Sequence, residues 1–323
     1  MSVEDLRTHF YTYDGLVKAV DGVTFNVRRA SALGIVGETG SGKTVTALSI
    51  IRLIQEPGRI VGGTVNFDGR DLASLTEQEM REVRGREISM IFQDPNTSLN
   101  PAFRIGDQIR ELIVRFNKHV QAAALNSEVA SWLEAVGIPD SKRRISSYPH
   151  ELSGGTKQRI MIAMALLSKP KLLIADEPTT SLDVTVQAQI LALIQKLKTE
   201  IGTSLLLITH NLGVVAQMCD EVAIMYAGRI IEQAPVQEIF TDPKHPYSKM
   251  LLEAVPKPGR RRLIPIPGSV PNLLNTPPGC AFHPRCPRAM DICSKQIPTL
   301  KRMSENNVVA CHLYNGDEKG TKL

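Results

Sequence analysis

The sequence predicts an α/β fold with a mostly parallel sheet that is covered by helices on both faces. Three short apolar runs read as buried strands, and they lie at 172–175, 204–208 and 221–226. A segment with apolar residues on one helical face, at 184–198, separates the first two runs. Because parallel strands need long crossover connections, this alternation of strands and helices indicates a parallel core.

The remaining predicted elements extend this core towards the N-terminus. Glycine and proline mark where they end, since Pro57-Gly58 stops a helix and Asp68-Gly69 turns a hairpin. The elements are strands within 17–36, a helix at 45–54, a hairpin at 64–71, a strand at 88–92 and a mostly helical subdomain at about 95–157. We also expect an antiparallel edge beside the parallel core.

Composition and charge exclude several classes of protein. The 323 residues are 42% hydrophobic and 22% charged, and the net charge of +5 is too small to indicate nucleic-acid binding. The N-terminus lacks the features of a secretory signal, and no apolar run approaches the ~20 residues of a membrane-spanning helix. We therefore expect a soluble, cytoplasmic chain in which any membrane role comes through partners.

A glycine-rich loop between a predicted strand and a predicted helix indicates nucleotide binding. It fits the pattern G-x-x-x-x-G-K-[ST], in which backbone N–H groups point at phosphate oxygens and the helix adds its positive N-terminal end. Lys43 would neutralise the β- and γ-phosphates, and the Thr44 hydroxyl would bind Mg²⁺. The predicted nucleotide-binding residues of this region are Gly37, Glu38, Thr39, Gly40, Ser41, Gly42, Lys43, Thr44 and Thr46.

Two further motifs lie downstream of the loop. An apolar strand ends at Asp176, which can hold Mg²⁺, and Glu177 can polarise an attacking water as a general base. The segment Ser153-Gly154-Gly155 begins a helix, where a hydroxyl and open backbone amides can bind an anion. The phosphate loop gives weight to the two carboxylates, whereas the serine-glycine segment alone is an ordinary loop and helix cap.

Together these motifs resemble the ATP-binding-cassette (ABC) ATPases. The resemblance rests on the phosphate loop, the signature Leu-Ser-Gly-Gly-x-x-Gln-Arg at 152–159 and the Asp-Glu-Pro-Thr segment at 176–179, and it covers residues 1 to about 255. The chain departs from common versions of the pattern at Thr156-Lys157 and Ser181-Leu182. Neither departure removes a group that contacts phosphate or metal, so a competent ATPase is expected.

The resemblance implies roles for individual residues. Gln93 would contact Mg²⁺ and sense a transmembrane partner, and His210 would be a catalytic residue that contacts the γ-phosphate. Tyr13 is the first choice for stacking on adenine, with Tyr11 and Phe10 as alternatives. The residues expected to act at the interface of a head-to-tail pair of cassettes are Ser153, Gly154, Gly155, Gln158 and Asp183.

Within this family, three segments resemble the ATPases of dipeptide and oligopeptide importers. They are 93–101, 183–190 and the His-Pro-Tyr at 245–247 with its following leucines. The resemblance implies hydrolysis of ATP to ADP and phosphate with Mg²⁺, coupled to peptide import. It also implies a second ATPase subunit, identical or homologous, two transmembrane permease subunits and an extracellular or periplasmic substrate-binding protein. The chain would then lie on the cytoplasmic side of the membrane.

Two alternative functions remain open at this point. Importers of nickel or another small nutrient belong to the same subgroup, and cargo is chosen by subunits other than the ATPase. A soluble ABC ATPase that acts on nucleic acid or ribosomes is the alternative from another class. Such proteins usually carry two cassettes or a long coiled-coil insertion, and this chain has neither. No nucleic-acid partner is therefore expected.

The composition changes after residue 255. Seven prolines within 256–278 predict an extended connector, so that an ABC ATPase domain at 1–255 would be followed by a small C-terminal domain at 256–323. The connector includes Arg260-Arg261-Arg262, which we interpret as a solvated linker face, with contact to anionic lipid as the alternative.

Four of the five cysteines lie in this tail, at Cys280, Cys286, Cys293 and Cys311. In a reducing cytoplasm such clustering points to a metal. The cysteines lack the C-x₂₋₄-C pairs usual for zinc and suit a [4Fe–4S] cluster with a structural role, which the family resemblance also suggests. The alternatives are Zn²⁺, with His283 or His312 as substitute ligands, and metal-free buried cysteines.

Overall fold

The computed structural model describes residues 1–117, 120–180, 182–255 and 265–315. The chain divides into two compact units. Unit 1 comprises Met1–Arg28, Ala32–Ser74 and Leu207–Leu323, and unit 2 comprises Arg29–Ser31 and Leu75–Leu206. Ser181, the Arg260-Arg261-Arg262 run and the first part of the proline-rich connector lie outside the described residues.

An antiparallel sheet of four strands forms the N-terminal part of unit 1. Its strands are β1 (Ser2–Thr12), β2 (Gly15–Asn26), β4 (Gly58–Phe67) and β5 (Arg70–Asp71), and they lie in the order β2-β1-β4-β5. The pairing of β4 with β5 confirms the hairpin predicted at 64–71. The sequence did not predict β1, because bulges interrupt its pairing and Asp5 adopts a φ of 47°, which breaks the alternation of buried and exposed residues.

A second sheet of unit 1 combines parallel and antiparallel pairing. β3 (Ala32–Val36) runs parallel to β9 (Glu221–Tyr226), and the sheet continues antiparallel through β10 (Arg229–Pro235). Beyond β10 lie β12 (Asn307–Val309) and β11 (Lys301–Ser304). The expected antiparallel edge is therefore present, and the cysteine-rich tail, where no strand was predicted, supplies its outer strands.

Short helices complete unit 1. They are α1 (Lys43–Ile50), α9 (Leu212–Met218), α10 (Val236–Thr241) and α11 (Pro246–Glu253). The first ends four residues before the predicted end, since Arg52 adopts a left-handed φ of 53° that a helix cannot continue through. β8 (Ser204–Thr209) begins in unit 2 and ends in unit 1.

Unit 2 is mostly helical and contains a parallel strand pair. β6 (Ile88–Ile91) pairs in parallel with β7 (Leu172–Asp176). Its helices are α2 (Glu77–Val83), α3 (Pro95–Ser98), α4 (Ile105–Phe116), α5 (Leu125–Ala135), α6 (Ser141–Arg144), α7 (Gly154–Leu166) and α8 (Val184–Ile201). Helices therefore occupy the segment expected to be helical, and α8 matches the helix predicted at 184–198.

The tail shares a hydrophobic core with the rest of unit 1. Phe282 is 1% exposed and packs against Tyr226 and Tyr247, with ring centroids 5.2 and 5.3 Å away. The two tyrosine rings lie 4.7 Å apart. A segment this short cannot bury enough apolar surface to form its own core. Its Phe282 is instead buried by packing against β9 and α11. None of the described helices is both long and apolar enough to cross a membrane.

Candidate functional site

The phosphate loop connects β3 to α1 in unit 1, as the sequence predicts. Gly42 caps the helix with a φ of 101°, and a Cβ at this position would lie 2.2 Å from the carbonyl oxygen of Ala19. A Cβ on Gly37 would lie 2.2 Å from the carbonyl oxygen of Met225. Only glycine fits either position, because the backbone passes too close for any side chain. The backbone of the loop therefore packs closely against the backbone at Ala19 and Met225 of the same unit.

Lys43 lies inside the curve of this loop. Its side chain is buried, and Nζ donates hydrogen bonds to the carbonyl oxygens of Gly37 (2.8 Å) and Glu38 (3.0 Å). A buried ammonium with several donors is suited to bind phosphate oxygens. Thr44, the predicted Mg²⁺ ligand, is exposed at the start of α1. Thr46 is fully buried, and its hydroxyl donates to the carbonyl of Gly42 (3.0 Å), so a contact with nucleotide remains a prediction for that residue.

Residues from distant parts of the chain hold the loop at Glu38. The hydroxyl of Tyr247 accepts a hydrogen bond from the Glu38 backbone N–H (3.1 Å). The guanidinium of Arg285 binds the Glu38 carboxylate with two hydrogen bonds of 2.8 and 3.1 Å. Sequence reasoning noted Tyr247 only as part of the His-Pro-Tyr segment and missed Arg285. No local pattern identifies Arg285, since 247 positions separate it from its partner.

Asp176, the predicted Mg²⁺ ligand, and Glu177, the predicted general base, lie at the end of β7 in unit 2. Asp176 is 2% exposed, and Glu177 adopts a φ of 45°, an uncommon conformation for a residue with a side chain. Glu177 Oε2 accepts hydrogen bonds from Thr180 Oγ1 (2.7 Å) and Gln93 Nε2 (3.4 Å). The structure thus brings together Gln93 and Glu177, whose roles were predicted separately, and it fixes the glutamate in a strained backbone position.

The signature segment begins α7, also in unit 2. Ser153 is the N-cap, with Oγ accepting from the Thr156 backbone N–H (3.4 Å), and it is exposed together with Gly154. Gln158 is buried and donates from Nε2 to the carbonyl oxygen of Pro178 (2.7 Å). The signature helix therefore contacts the residue that directly follows Glu177.

Three further predicted residues lie on exposed positions. Asp183 caps α8, with Oδ1 accepting from the Val186 backbone N–H (2.9 Å), and His210 directly follows β8. Tyr13 is fully exposed in the turn between β1 and β2. Because it is exposed, the Tyr13 ring is accessible to a planar partner. Its stacking on adenine remains a prediction.

The four tail cysteines lie close enough to influence one another. Burial, together with the smaller effect of the other three thiols, raises the pKa of Cys280 to about 11. Burial likewise raises the pKa of Cys286 and of Cys311. The backbone N–H of Cys280 donates to the carbonyl of Cys293 (2.8 Å), which links two of the cysteine-bearing turns. Cys293 is buried, and the other three thiols are half-buried.

Hydrogen bonds occupy both ring nitrogens of His312 and one ring nitrogen of His283. His312 Nε2 contacts the carbonyl oxygen of Gln296 (2.8 Å), and its Nδ1 contacts the Asn315 amide (2.8 Å). Because both ring nitrogens are used, His312 has no free lone pair for zinc. His283 Nδ1 contacts the carbonyl oxygen of Cys280 (2.9 Å). Across the described ranges, no three His, Cys, Asp or Glu side chains are placed to hold a metal ion.

A strand, a glycine-rich loop that encloses a lysine, and a helix in direct succession define a P-loop nucleotide-binding protein. Residues 20–180 match the family model described as ABC transporter, and residues 231–293 match the one described as oligopeptide/dipeptide transporter, C-terminal region. The chain belongs to the ABC transporter family, among the ATP-binding proteins of oligopeptide and dipeptide transport. It is thus an ABC ATPase.

Similar proteins cover nearly the whole chain. A probable peptide ABC transporter ATP-binding protein of Sinorhizobium fredii is 50% identical over 98% of this chain and 95% of its own length. The oligopeptide transport ATP-binding protein OppD of Salmonella typhimurium is 50% identical over 96% of this chain and 92% of its own. The dipeptide transport ATP-binding protein DppD of Bacillus subtilis is 47% identical over 98% and 95%.

Solved structures share the fold. The ATP-binding cassette MJ0796, in a dimeric post-hydrolysis state with ADP and Pi, has a TM-score of 0.65 at 23% identity and covers 73% of this chain and 98% of its own. The protein cbiO1 of Clostridium perfringens, part of the ABC transporter complex cbiONQ, has a TM-score of 0.63 at 28% identity and covers 75% and 90%. These similarities establish the ABC cassette fold.

Proposed function

We propose that this chain hydrolyses ATP to power the import of dipeptides or oligopeptides through a membrane transporter. The observation that carries the proposal is the match of residues 231–293 to the C-terminal region of oligopeptide and dipeptide transporters. Relatives named for peptide transport extend the similarity over almost the entire chain. They do not favour a role on nucleic acid or ribosomes, nor the import of nickel.

The site residues suggest how hydrolysis proceeds. Lys43 and the loop amides would bind the β- and γ-phosphates, and Thr44, Gln93 and Asp176 are the residues that would hold Mg²⁺. Glu177 accepts the proton of the attacking water, and its contact with Thr180 Oγ1 orients the carboxylate. His210 contacts the γ-phosphate. Mg²⁺, when bound, neutralises charge that develops on the phosphate oxygens during the reaction.

A second ATPase subunit, identical or homologous, completes the active unit. Ser153, Gly154 and Gly155 bind the nucleotide held by the phosphate loop of the partner, and the exposure of Ser153 and Gly154 supports that role. Asp183 belongs to the same interface. Two transmembrane permease subunits and a substrate-binding protein outside the membrane form the rest of the transporter. The chain then lies on the cytoplasmic side of the membrane, attached through the permeases.

We also propose that Cys280, Cys286, Cys293 and Cys311 hold a [4Fe–4S] cluster in a C-terminal extension at 256–323. The backbone hydrogen bond from Cys280 to Cys293 and the proximity of the other three thiols to Cys280, which helps to raise its pKa, support this set of ligands. A cubane distributes its thiolates around a larger body, so the ligands need not converge on one ion. The cluster would stabilise a tail that contributes strands and Phe282 to the remainder of unit 1.

Purification of the tagged full-length chain from its native cells tests this function. We expect two permease subunits and a second ATPase subunit to copurify from detergent-solubilised membranes, and ATP hydrolysis by the complex to rise when a peptide-loaded binding protein is added. Copurification with ribosomes or nucleic acid, with no permease present, would contradict the proposal.

A further inference from the structure

Arg285 connects the cysteine-rich tail to the phosphate loop. It lies at the end of a short 3₁₀ turn, His283–Arg285, directly before Cys286. Its Nη1 and Nη2 donate to Oε2 and Oε1 of Glu38 at 2.8 and 3.1 Å, a bidentate arrangement. Glu38 is the second residue of the phosphate loop. A residue of the tail thus binds directly to the segment that encloses the nucleotide phosphates.

The surroundings of Arg285 show that this ion pair is built into the fold. The Arg285 side chain is 5% exposed and that of Glu38 is 24% exposed. Nε donates to the carbonyl oxygen of Pro267 (2.9 Å), and Nη1 also contacts the hydroxyl of Tyr226 (3.3 Å). Arginine held by several acceptors in one plane loses little freedom when it binds a carboxylate. The pair is therefore a fixed contact, unlike a flexible ion pair at the surface.

A second contact holds the same loop residue. The Tyr247 hydroxyl accepts from the backbone N–H of Glu38, and the ring of Tyr247 packs against Tyr226 and Phe282. Arg285 fixes the Glu38 side chain, while Tyr247 fixes its main chain. Lys43 donates to the carbonyl of the same residue (3.0 Å). The C-terminal part of the chain and the phosphate-binding lysine therefore both contact Glu38.

We propose that Arg285 is a positioning residue of the nucleotide site, which holds the phosphate loop in its binding conformation through Glu38. This inference rests on the proposed role of that loop in binding ATP. Ordering a flexible loop reduces the net free energy of binding. A loop that is ordered before the nucleotide binds should therefore have a higher affinity for it. Arg285 touches the loop and not the reacting atoms, so its loss should weaken nucleotide binding more than it slows the chemical step. The tail thereby contributes to ATP affinity.

Substitutions on both sides of the ion pair test the proposal. The full-length protein with its tail intact would be titrated with a fluorescent ATP analogue, and steady-state ATPase rates would be measured in parallel. We expect Arg285→Met and Glu38→Gln each to raise the Kd of the analogue by about ten-fold, with KM rising and kcat changing by less than about two-fold. The double variant should bind no more weakly than either single variant, because both changes remove the same contact.

Two controls separate this effect from damage to the tail. Arg302→Met changes an exposed arginine on β11 of the same tail and should leave the Kd unchanged. Glu38→Gln leaves every tail residue intact, so it reports on the contact even where Arg285→Met unfolds the tail. If Glu38→Gln binds the analogue like the wild type, the inference is wrong. If the wild type itself binds no ATP analogue, the proposed nucleotide site fails instead.

Discussion

Gln158 of the signature helix donates a hydrogen bond of 2.7 Å to the carbonyl oxygen of Pro178, the residue that follows the proposed general base Glu177. The glutamine is 2% exposed, so this contact lies away from bulk solvent. Glu177 itself has a φ of 45°, and such a conformation persists only where neighbouring contacts hold it. Gln158 is therefore in a position to maintain the backbone around the proposed catalytic carboxylate.

Replacement of this glutamine should affect both stability and turnover. Gln158→Leu removes the donor and leaves a buried carbonyl without its partner, which should lower the free energy of unfolding by about 1–3 kcal/mol. We also expect kcat for ATP hydrolysis to fall roughly ten-fold, because Glu177 is no longer held in place. Denaturant titration and steady-state kinetics measure the two effects. Gln121→Ala, at an exposed position of the same unit, is the matched control. If Gln158→Leu were as active as that control, Gln158 would not hold Glu177 in place.

The role of Glu177 is tested by Glu177→Gln. The amide keeps the size of the side chain but cannot accept a proton from water, so ATP binding should persist while kcat falls by at least about 100-fold. Equilibrium binding of an ATP analogue and phosphate release measure the two properties. Glu82→Gln, on the exposed face of α2, should behave as the wild type. Substantial hydrolysis by Glu177→Gln would remove Glu177 from the role of general base.

Acid should destabilise the fold through His245. Complete burial lowers the pKa of this histidine from 6.5 to about 3, and its Nδ1 accepts from the Tyr247 backbone N–H (3.0 Å). As the pH falls below about 6.5, the unfolded chain binds a proton that the folded chain does not, so stability decreases by up to about 1.4 kcal/mol per pH unit from this group until the pH approaches 3.

The variant His245→Asn checks the acid effect. Asparagine retains an acceptor for the helix cap but does not titrate, so the decline of unfolding free energy between pH 6 and 4 should become shallower. Chemical denaturation at several pH values gives the slope. An identical pH dependence in the variant and the wild type would show that His245 does not contribute.

The tail cysteines should share one metal group. Serine at any one of Cys280, Cys286, Cys293 or Cys311 should cause the loss of iron and sulfide from protein purified without oxygen. We expect about four irons per chain in the wild type. Cys219→Ser is the matched control, since Cys219 lies at the end of α9, near Gly34 and outside the tail. One zinc ion per chain and no iron would contradict the cluster.

Local sequence patterns predicted the elements that carry the phosphate loop and the two carboxylates, Asp176 and Glu177. The apolar run before Asp176 and the glycines after β3 encode a strand end and a tight turn within a few residues, and the structure contains both. The turn predicted at Asp68-Gly69 likewise lies between β4 and β5, which pair with each other. These features could be predicted because short-range sterics and periodicity determine them.

Features that depend on distant parts of the chain were not predicted. β1 carries bulges that disturb its alternation, and β11 and β12 are short strands that gain their stability by pairing beside β10. The contact of Arg285 with Glu38 joins residues 247 positions apart, and nothing beside either residue signals the other. Tertiary packing determines these features, so periodicity and local propensity do not reveal them.

Peptide uptake by a reconstituted transporter tests the central claim most directly. The chain would be incorporated into liposomes with its permease subunits and second ATPase subunit, and ATP and a peptide-loaded binding protein would be supplied on opposite sides. We predict ATP-dependent uptake of labelled dipeptides or short oligopeptides that Glu177→Gln abolishes, and no uptake of nickel. Assembled complexes that hydrolyse ATP without transporting any peptide would contradict the account.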